Sequence, residues 1–258
     1  TYTVQKLEED LGVTLFTRQG RRSVLTPAGR LLLEQGRDLL AAAERLAEAT
    51  RQVHSGWESC LNIAVDSIID VTAFYPHLDA FYRLGHGVEV NLYEEVLGGS
   101  WEAALEGRAD LVLGAPEIPA GISGLRHALI QEVEWVLAVS PAHPLATSTR
   151  PLAREELLAY RGVVVRDSSR ALPPLTRRVL DGQPVLRVAS VQQKIDCQLR
   201  GLGVGFLPRH RIARHLANGD LVEIALGEPE PKTPLHRVWR SGATGKALRW
   251  FLDRLGPS

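Results

Sequence analysis

Hydrophobic and polar positions follow three rhythms along this chain. In residues 1–11 the apolar Val4, Leu7 and Leu11 recur at helical spacing, with Glu8, Glu9 and Asp10 off that face. Gly12 follows, as expected just past a helix C-terminus. Residues 13–16 are apolar and partly β-branched, and beyond an Arg/Gly-rich tip the run 23–26 has the same character, which predicts a small hairpin. Thr26 is a good N-cap, and Pro27 suits a first helical turn. The run 27–54 has no Pro after its first residue and is dense in Leu, Ala, Glu and Arg, predicting one long helix. On it Leu32, Leu39, Leu46 and Val53 recur every seven residues, the spacing of a coiled-coil or helix-pair interface. The alternative is a helix packed on its own domain. A helix joining two modules has little of its own chain to lean on, so a dimer is expected.

From Cys60 the pattern becomes strands alternating with helices. Strands are predicted at 61–65, 88–94, 109–113 and 133–139, with helices at 71–84 and 100–106. Two further cycles follow: a strand at 162–165, a helix near 174–180, a strand at 185–189, a helix at 191–200 and a strand at 204–207. Alternation of this kind implies βαβ units and a mainly parallel sheet. Pro-containing breaks at 140–144 and 228–231, with a return through 235–239 and 246–255, divide this part into two lobes. The fold class is therefore α/β, and ligands in such folds sit at the carboxyl ends of strands, here facing a cleft between lobes.

At 258 residues the chain is long enough for one large domain or several small ones. Its 30 basic residues balance 30 acidic ones, so any nucleic-acid signal must come from local clustering. Cys60 and Cys197 are far apart, which argues against a disulfide framework or zinc site and suits a reducing compartment. No run reaches the roughly 18 apolar residues of a bilayer span, and no secretion signal opens the chain. The sequence contains no Met, from which a longer product is expected.

Local clustering is present. Residues 17–30 carry Arg18, Arg21, Arg22 and Arg30 and no acid, although residues 1–50 balance seven against seven. Arg donors suit phosphate oxygens; an ordinary solvated turn is the alternative. A second candidate site comes from strand-to-helix junctions, whose free amides and hydroxyls can hold a small anion or polar group. These are Asp66, Ser67 and Ile68 after the first strand, and Gly98, Gly99, Ser100 and Trp101 after the second. The other lobe contributes Arg166, Ser168 and Ser169, with Arg166 or Arg170 able to pair a carboxylate, and Gln192 opens a later helix. Trp101 suits stacking on an aromatic ligand or anchoring a core equally well.

Enzyme motifs are weak. Gly201, Gly203 and Gly205 form half a dinucleotide fingerprint but precede a strand instead of opening a helix. Residues 241–247 hold a Gly-Lys without the rest of a phosphate loop. His210 and His215 lack the spacing and acid of a zinc helix, and no G-x-S-x-G is present. No catalytic residue, metal site or cofactor is expected.

The stretch QKLEEDLGVTLFTRQGRRSVLTPAGRLLLEQGRDLL resembles the LysR-type transcriptional regulators, whose winged helix-turn-helix ends in L-E-x-x-L-G-x-x-L-F-x-R, a short wing and L-T-x-A-G. Leu7, Glu8, Leu11, Gly12, Leu15, Phe16, Arg18, Leu25, Thr26, Ala28 and Gly29 meet that pattern. GRADLVLGAP and GLGVGFLP resemble later segments of the same family, and within it the wording is similar to a YhaJ-like branch.

The resemblance implies a winged helix-turn-helix remnant at 1–26 and a linker dimerisation helix at 27–56. It then implies a periplasmic-binding-protein-like effector domain, with one lobe at 57–139 and 235–258 and the other at 140–234. It places Thr1, Tyr2, Thr3 and Lys6 on the groove-facing side of a recognition helix, with Arg18, Arg21 and Arg22 on phosphate or the minor groove. Tyr2 stands where many members carry Arg, so base preference does not transfer. The family's first two helices have no counterpart here, so the stretch by itself is expected to bind DNA poorly. The implied partners are double-stranded DNA for the full-length protein, a small-molecule effector of aromatic or carboxylate character placed at the junctions named above, and further copies of the chain as dimer or tetramer. A cytoplasmic location without membrane association is expected. A solute-binding protein of transport shares the two-lobed architecture and is the alternative, one that predicts a signal peptide and no wing.

Overall fold

The computed structural model describes residues 2–19, 22–119, 121–173, 175 and 179–255, without the side chains of 19, 48–49 and 51–55. Thr1, Arg21 and the Val53 side chain, singled out above, lie outside the described residues. The chain divides into two compact units, Thr1–Glu58 and Ser59–Ser258.

In the first unit, α1 (Tyr2–Leu11) leads into a ribbon of β1 (Phe16–Gln19) and β2 (Arg22–Leu25), paired antiparallel with Phe16 opposite Leu25 and Arg18 opposite Ser23. Glu8 braces the ribbon to the helix, its carboxylate accepting the amides of Leu15 at 2.6 Å and Phe16 at 3.1 Å. Thr26 caps α2 (Pro27–Ser55) as expected: its hydroxyl accepts from the Gly29 amide at 3.0 Å and donates to the Thr14 carbonyl at 2.7 Å. Gly29 is required by packing, because a Cβ there would overlap the Leu15 carbonyl oxygen. The 29 residues of α2 make a rod about 44 Å long at 1.5 Å per residue. Leu32 on it is half-buried, whereas Leu39 and Leu46 are 72% and 71% exposed.

The second unit is built on two sheets. In the first, β3 (Cys60–Asp66), β4 (Glu89–Glu95) and β5 (Leu111–Pro116) run parallel, and β12 (Thr233–Arg240) and β6 (Leu125–Val133) join antiparallel, in the order β4-β3-β5-β12-β6. A 3-10 turn at Val71–Phe74 runs into α3 (Tyr75–Tyr82), and α4 (Gly98–Leu105) follows β4. The second sheet centres on β7 (Trp135–Val139), flanked antiparallel by β10 (Gly205–Pro208) and β11 (Val222–Ile224). Beside it β8 (Gly162–Val165) and β9 (Val185–Val188) run parallel. α5 (Val191–Leu199) and α6 (Arg209–Asn218) pack here, with Ile195 and Ile212 buried against Leu207. The buried Gln198 amide donates to Ala138 and Gly205 carbonyls, tying β7 to β10. α7 (Lys246–Arg254) closes the unit through Phe251, stacked near Phe74 and Phe81.

Three expectations need correction. The run 133–139 is not one strand: β6 ends at Val133, and the chain changes sheets across Glu134, so β7 pairs with β10 and β11 instead of staying with β3–β5. β12 already begins at Thr233, ahead of the return expected at 235. The mainly parallel sheet holds for β3–β5 and β8–β9 but not around β7 and β12. The helix expected near 174–180 falls partly outside the described residues, and Leu175, Val179 and Leu180 are irregular.

Candidate functional site

The carboxyl ends of β3, β4 and β8 meet the start of α5 around a small cavity of about 60 Å³. Asp66, Ser67 and Ile68 line it from β3, Val96 and Leu97 from β4, Val165 from β8, and Val191 and Lys194 from α5, with Pro116, Trp135, Pro208 and Thr233 completing the wall. The Asp66 carboxylate is buried and fully engaged. One oxygen accepts the Ile68 amide at 3.0 Å, and the other accepts the Leu97 amide at 2.8 Å and the Ser100 hydroxyl at 2.7 Å. Burial nevertheless dominates these three donors, and the carboxyl is pushed up to about 7. Leu97 sits at φ 54°, ψ −118°, a left-handed conformation costly for a side chain with Cβ and held here by its surroundings.

The first turn of α4 is occupied by the chain itself. Asp167, on the loop leaving β8, accepts the amides of Gly98 and Gly99, each at 3.2 Å. Ser168 donates to Glu95 and accepts from the Val96 amide at 2.9 Å. Glu102 of α4 accepts the amides of Arg170, Ala171 and Leu172, the shortest at 2.6 Å. Burial opposes its charge, but these amides hold its carboxyl below the usual range. Arg108 pairs with Glu95 and lies 2.7 Å from Glu106 and 3.6 Å from Glu102.

Of the positions singled out by sequence, Asp66, Ser67 and Ile68 line the cavity. Gly98, Gly99 and Ser100 stand beside it, bonded to Asp167 and Asp66. Ser168 and Ser169 lie on the docked loop. Four do not reach it: Trp101, Arg166, Gln192 and Arg170, whose side chain is exposed. Trp101 is fully buried, donates to the Pro116 carbonyl and anchors the core of the first sheet. Arg166 is exposed, and the exposed Gln192 holds Asp196 and Arg211. Sequence reasoning misses Arg211; from α6 it donates to the carbonyls of Ser67 and Ile69, both at 2.8 Å. It also passes over Asp167 for the Arg residues on either side. Lys194, one turn after Val191 on α5, is legible from helical spacing.

A larger cavity of about 430 Å³ lies elsewhere on the second sheet, lined by Val163, Phe206, Arg154, Gln183 and Glu230 among others. Three of its polar groups are committed to the fold: Arg154 pairs with Glu230, and the Gln183 amide donates to the Leu157 and Tyr160 carbonyls. The smaller cavity, at strand carboxyl ends, is the better candidate.

On the first unit Tyr2, Thr3 and Lys6 are exposed on α1, and Arg18 and Arg22 are exposed on the ribbon. Arg22 pairs with Gln19 and Arg18 with Ser23, so the two Arg side chains leave opposite faces of the ribbon. Among the described residues no group of three or more His, Cys, Asp or Glu is arranged to hold a metal ion, and no helix is long and apolar enough to cross a membrane.

Comparison with known proteins gives these features a family. Residues 54–257 match the LysR substrate binding domain, and residues 1–30 match the bacterial regulatory helix-turn-helix protein, lysR family. The chain is 35% identical over 255 residues to YeeY of Escherichia coli K12, an HTH-type transcriptional regulator, covering 99% of this chain and 82% of that protein. It is 34% identical to YhaJ of the same strain, a probable HTH-type transcriptional regulator, covering 99% and 85%, so kinship with YhaJ stands at a distance shared with YeeY. Full-length CbnR, solved in complex with its target DNA, superposes with TM-score 0.62 at 19% identity over 98% of this chain and 87% of that one. Relatives that regulate transcription set aside the solute-transport alternative, and with matches spanning both units the chain belongs to the LysR family of bacterial transcriptional regulators.

Proposed function

We propose that this regulator binds double-stranded DNA through α1 and the β1–β2 ribbon, and that its second unit binds a small-molecule effector at the Asp66 cavity. Two lobes, centred on the β3–β5 sheet and the β7 sheet, close on the effector. Closure shifts the population of DNA-bound conformations in an oligomer joined through the Leu39 and Leu46 face of α2. Tyr2, Thr3 and Lys6 face the groove, with Arg18 and Arg22 on phosphate. The protein works in the cytoplasm and carries out no catalysis.

The observation that carries the DNA reading is the ribbon itself. Glu8 and Thr26 lock it to both flanking helices, while its exposed charges, Arg18 and Arg22, are all positive. The test is Arg18→Ala and Arg22→Ala, made separately in the intact regulator, with DNA affinity measured against salt. Removing one phosphate-binding Arg should flatten the log–log salt slope by about 0.9 and weaken binding similarly across sequences. Unchanged affinity and slope in both variants would remove the ribbon from the interface.

A further inference from the structure

The larger cavity on the second sheet comes from two strands that part. The Val163 amide donates to the Val204 carbonyl at 2.8 Å and the Val204 amide to the Arg161 carbonyl at 2.9 Å, so β8 and the chain entering β10 start side by side. They then diverge: Gly205 pairs with Ala138 of β7, while Val164 and Val165 continue along β9. Two glycines permit the close start. A Cβ on Gly203 would overlap the Arg161 carbonyl oxygen, and one on Gly205 would come 3.0 Å from the Val163 carbonyl oxygen. The Gly-x-Gly that fails as a dinucleotide fingerprint thus sets the divergence, and both strands line the cavity of about 430 Å³.

We propose that this cavity is a second ligand site, one that takes a small monocarboxylic acid with an apolar body, and that its occupancy reaches the Asp66 cavity through Thr233. Its volume lies in the range of small-molecule sites, roughly 300–1,000 Å³, whereas protein cores keep few voids larger than a water. The floor is apolar, with Leu157, Val163, Val204 and Phe206 all buried. The charges around it select the head group. Arg154 lies over the Phe206 ring, 5.5 Å from its centroid, and pairs with Glu230, and Glu117 is engaged as well. Lys232 is exposed in the lining and forms no ion pair among the described residues. A carboxylate finds this uncommitted cation and stays at the solvated rim, free of the cost of burying a charge. An ammonium group finds the acids already paired and Lys232 repelling it.

Thr233 connects the two sites. It lines both cavities, and its hydroxyl accepts the indole N–H of Trp135, itself in the wall of the Asp66 cavity, at 2.9 Å. The same bond joins the two places where the chain passes between sheets, since Trp135 opens β7 just after Glu134 and Thr233 opens β12 on the return. A ligand resting on Thr233 therefore bears on both crossings.

The test uses octanoate, with octylamine as a probe of the same body and opposite head. In the unaltered chain octanoate should raise the melting temperature saturably and shift the Trp135 indole N–H resonance over the same concentrations; octylamine should do neither. Lys232→Gln, at an exposed position, should fold as the parent does and weaken octanoate about fivefold, the upper worth of an exposed ion pair. Leu180→Phe, which adds bulk to the half-buried lining, should abolish binding; if that variant does not fold, Lys232→Gln decides alone. A melting temperature indifferent to octanoate, octylamine matching octanoate, or octanoate affinity unchanged in Lys232→Gln would overturn the site. Binding that leaves the Trp135 resonance unmoved would overturn its link to the Asp66 cavity. No readout involves DNA, so failure here leaves the regulator reading, which the ribbon variants test, where it stands.

Discussion

Replacing Asp66 by Asn should flatten the pH dependence of stability between pH 5 and pH 8. The carboxyl is 2% exposed and is raised by burial from 3.8 to about 7, against the three hydrogen bonds that favour its charge. An acid whose folded-state pKa is raised binds its proton more tightly folded than unfolded. Its contribution is complete below pH 3.8 and is lost as pH rises through 7, at about 1.4 kcal/mol per unit. Three units amount to on the order of 4 kcal/mol, a large part of the roughly 5–15 kcal/mol of a typical domain. Burial also lowers His143, His210 and His236, and these act oppositely, losing stability on acidification; variant and parent share them, so they cancel in the difference. Urea unfolding followed by tryptophan fluorescence reports the second unit, which holds Trp101, Trp135, Trp239 and Trp250. By pH 5 about one unit of this loss has already occurred, so between pH 5 and pH 8 the variant should gain about two units, or about 2.7 kcal/mol, on the parent. Parallel profiles across this range would refute the argument that burial outweighs the amides at Asp66.

Gly99→Ala should cost about 1–3 kcal/mol by overpacking against the Ser168 hydroxyl, although Ala favours a helix over Gly by up to about 1 kcal/mol. Hydrogen exchange at 169–172 should speed up, and unchanged exchange would show that this loop tolerates the added carbon. Leu39→Asp with Leu46→Asp should dissociate the oligomer while leaving helix content unaltered, because both positions are exposed in the single chain; sedimentation at an unchanged mass would count against α2 as the interface.

The parts legible in the sequence are those whose cause is local. Thr26 announces the start of α2, Gly12 the end of α1, and the repeat through Leu32, Leu39 and Leu46 reaches the structure as one uninterrupted helix. The junction residues Asp66 and Ser67 are legible because a strand that ends before a helix leaves free amides wherever it sits in the fold. What escapes depends on distant partners. β6 is an edge strand whose exposure does not alternate cleanly, with 126–127 and 131–132 exposed in succession, so it looks like loop. Nothing local to Glu134 says that β7 pairs with Gly205–Pro208. Asp167 reads as a solvated loop acid until Gly98, 69 residues away, is brought against it. Trp101 suits a ligand or a core equally well in the sequence, and the structure decides for the core: its indole N–H reaches the Pro116 carbonyl and the ring is buried with it.

The two units answer to different variables for a physical reason. On the ribbon, Arg18 and Arg22 are exposed cations, and their attraction to phosphate is screened by salt within about 10 Å at 0.1 M. In the cleft, the carboxylates of Asp66, Glu102 and Asp167 are all held by backbone amides, with Ser100 adding a hydroxyl at Asp66. These bonds are directional and partly withdrawn from solvent, so ionic strength has less purchase on them, and an amide cannot move away without taking the fold with it. What loosens them is a competing group of the same geometry or a proton. Arg211 adds a tie of opposite polarity, a cation on the Ser67 and Ile69 carbonyls, which an anion does not compete for.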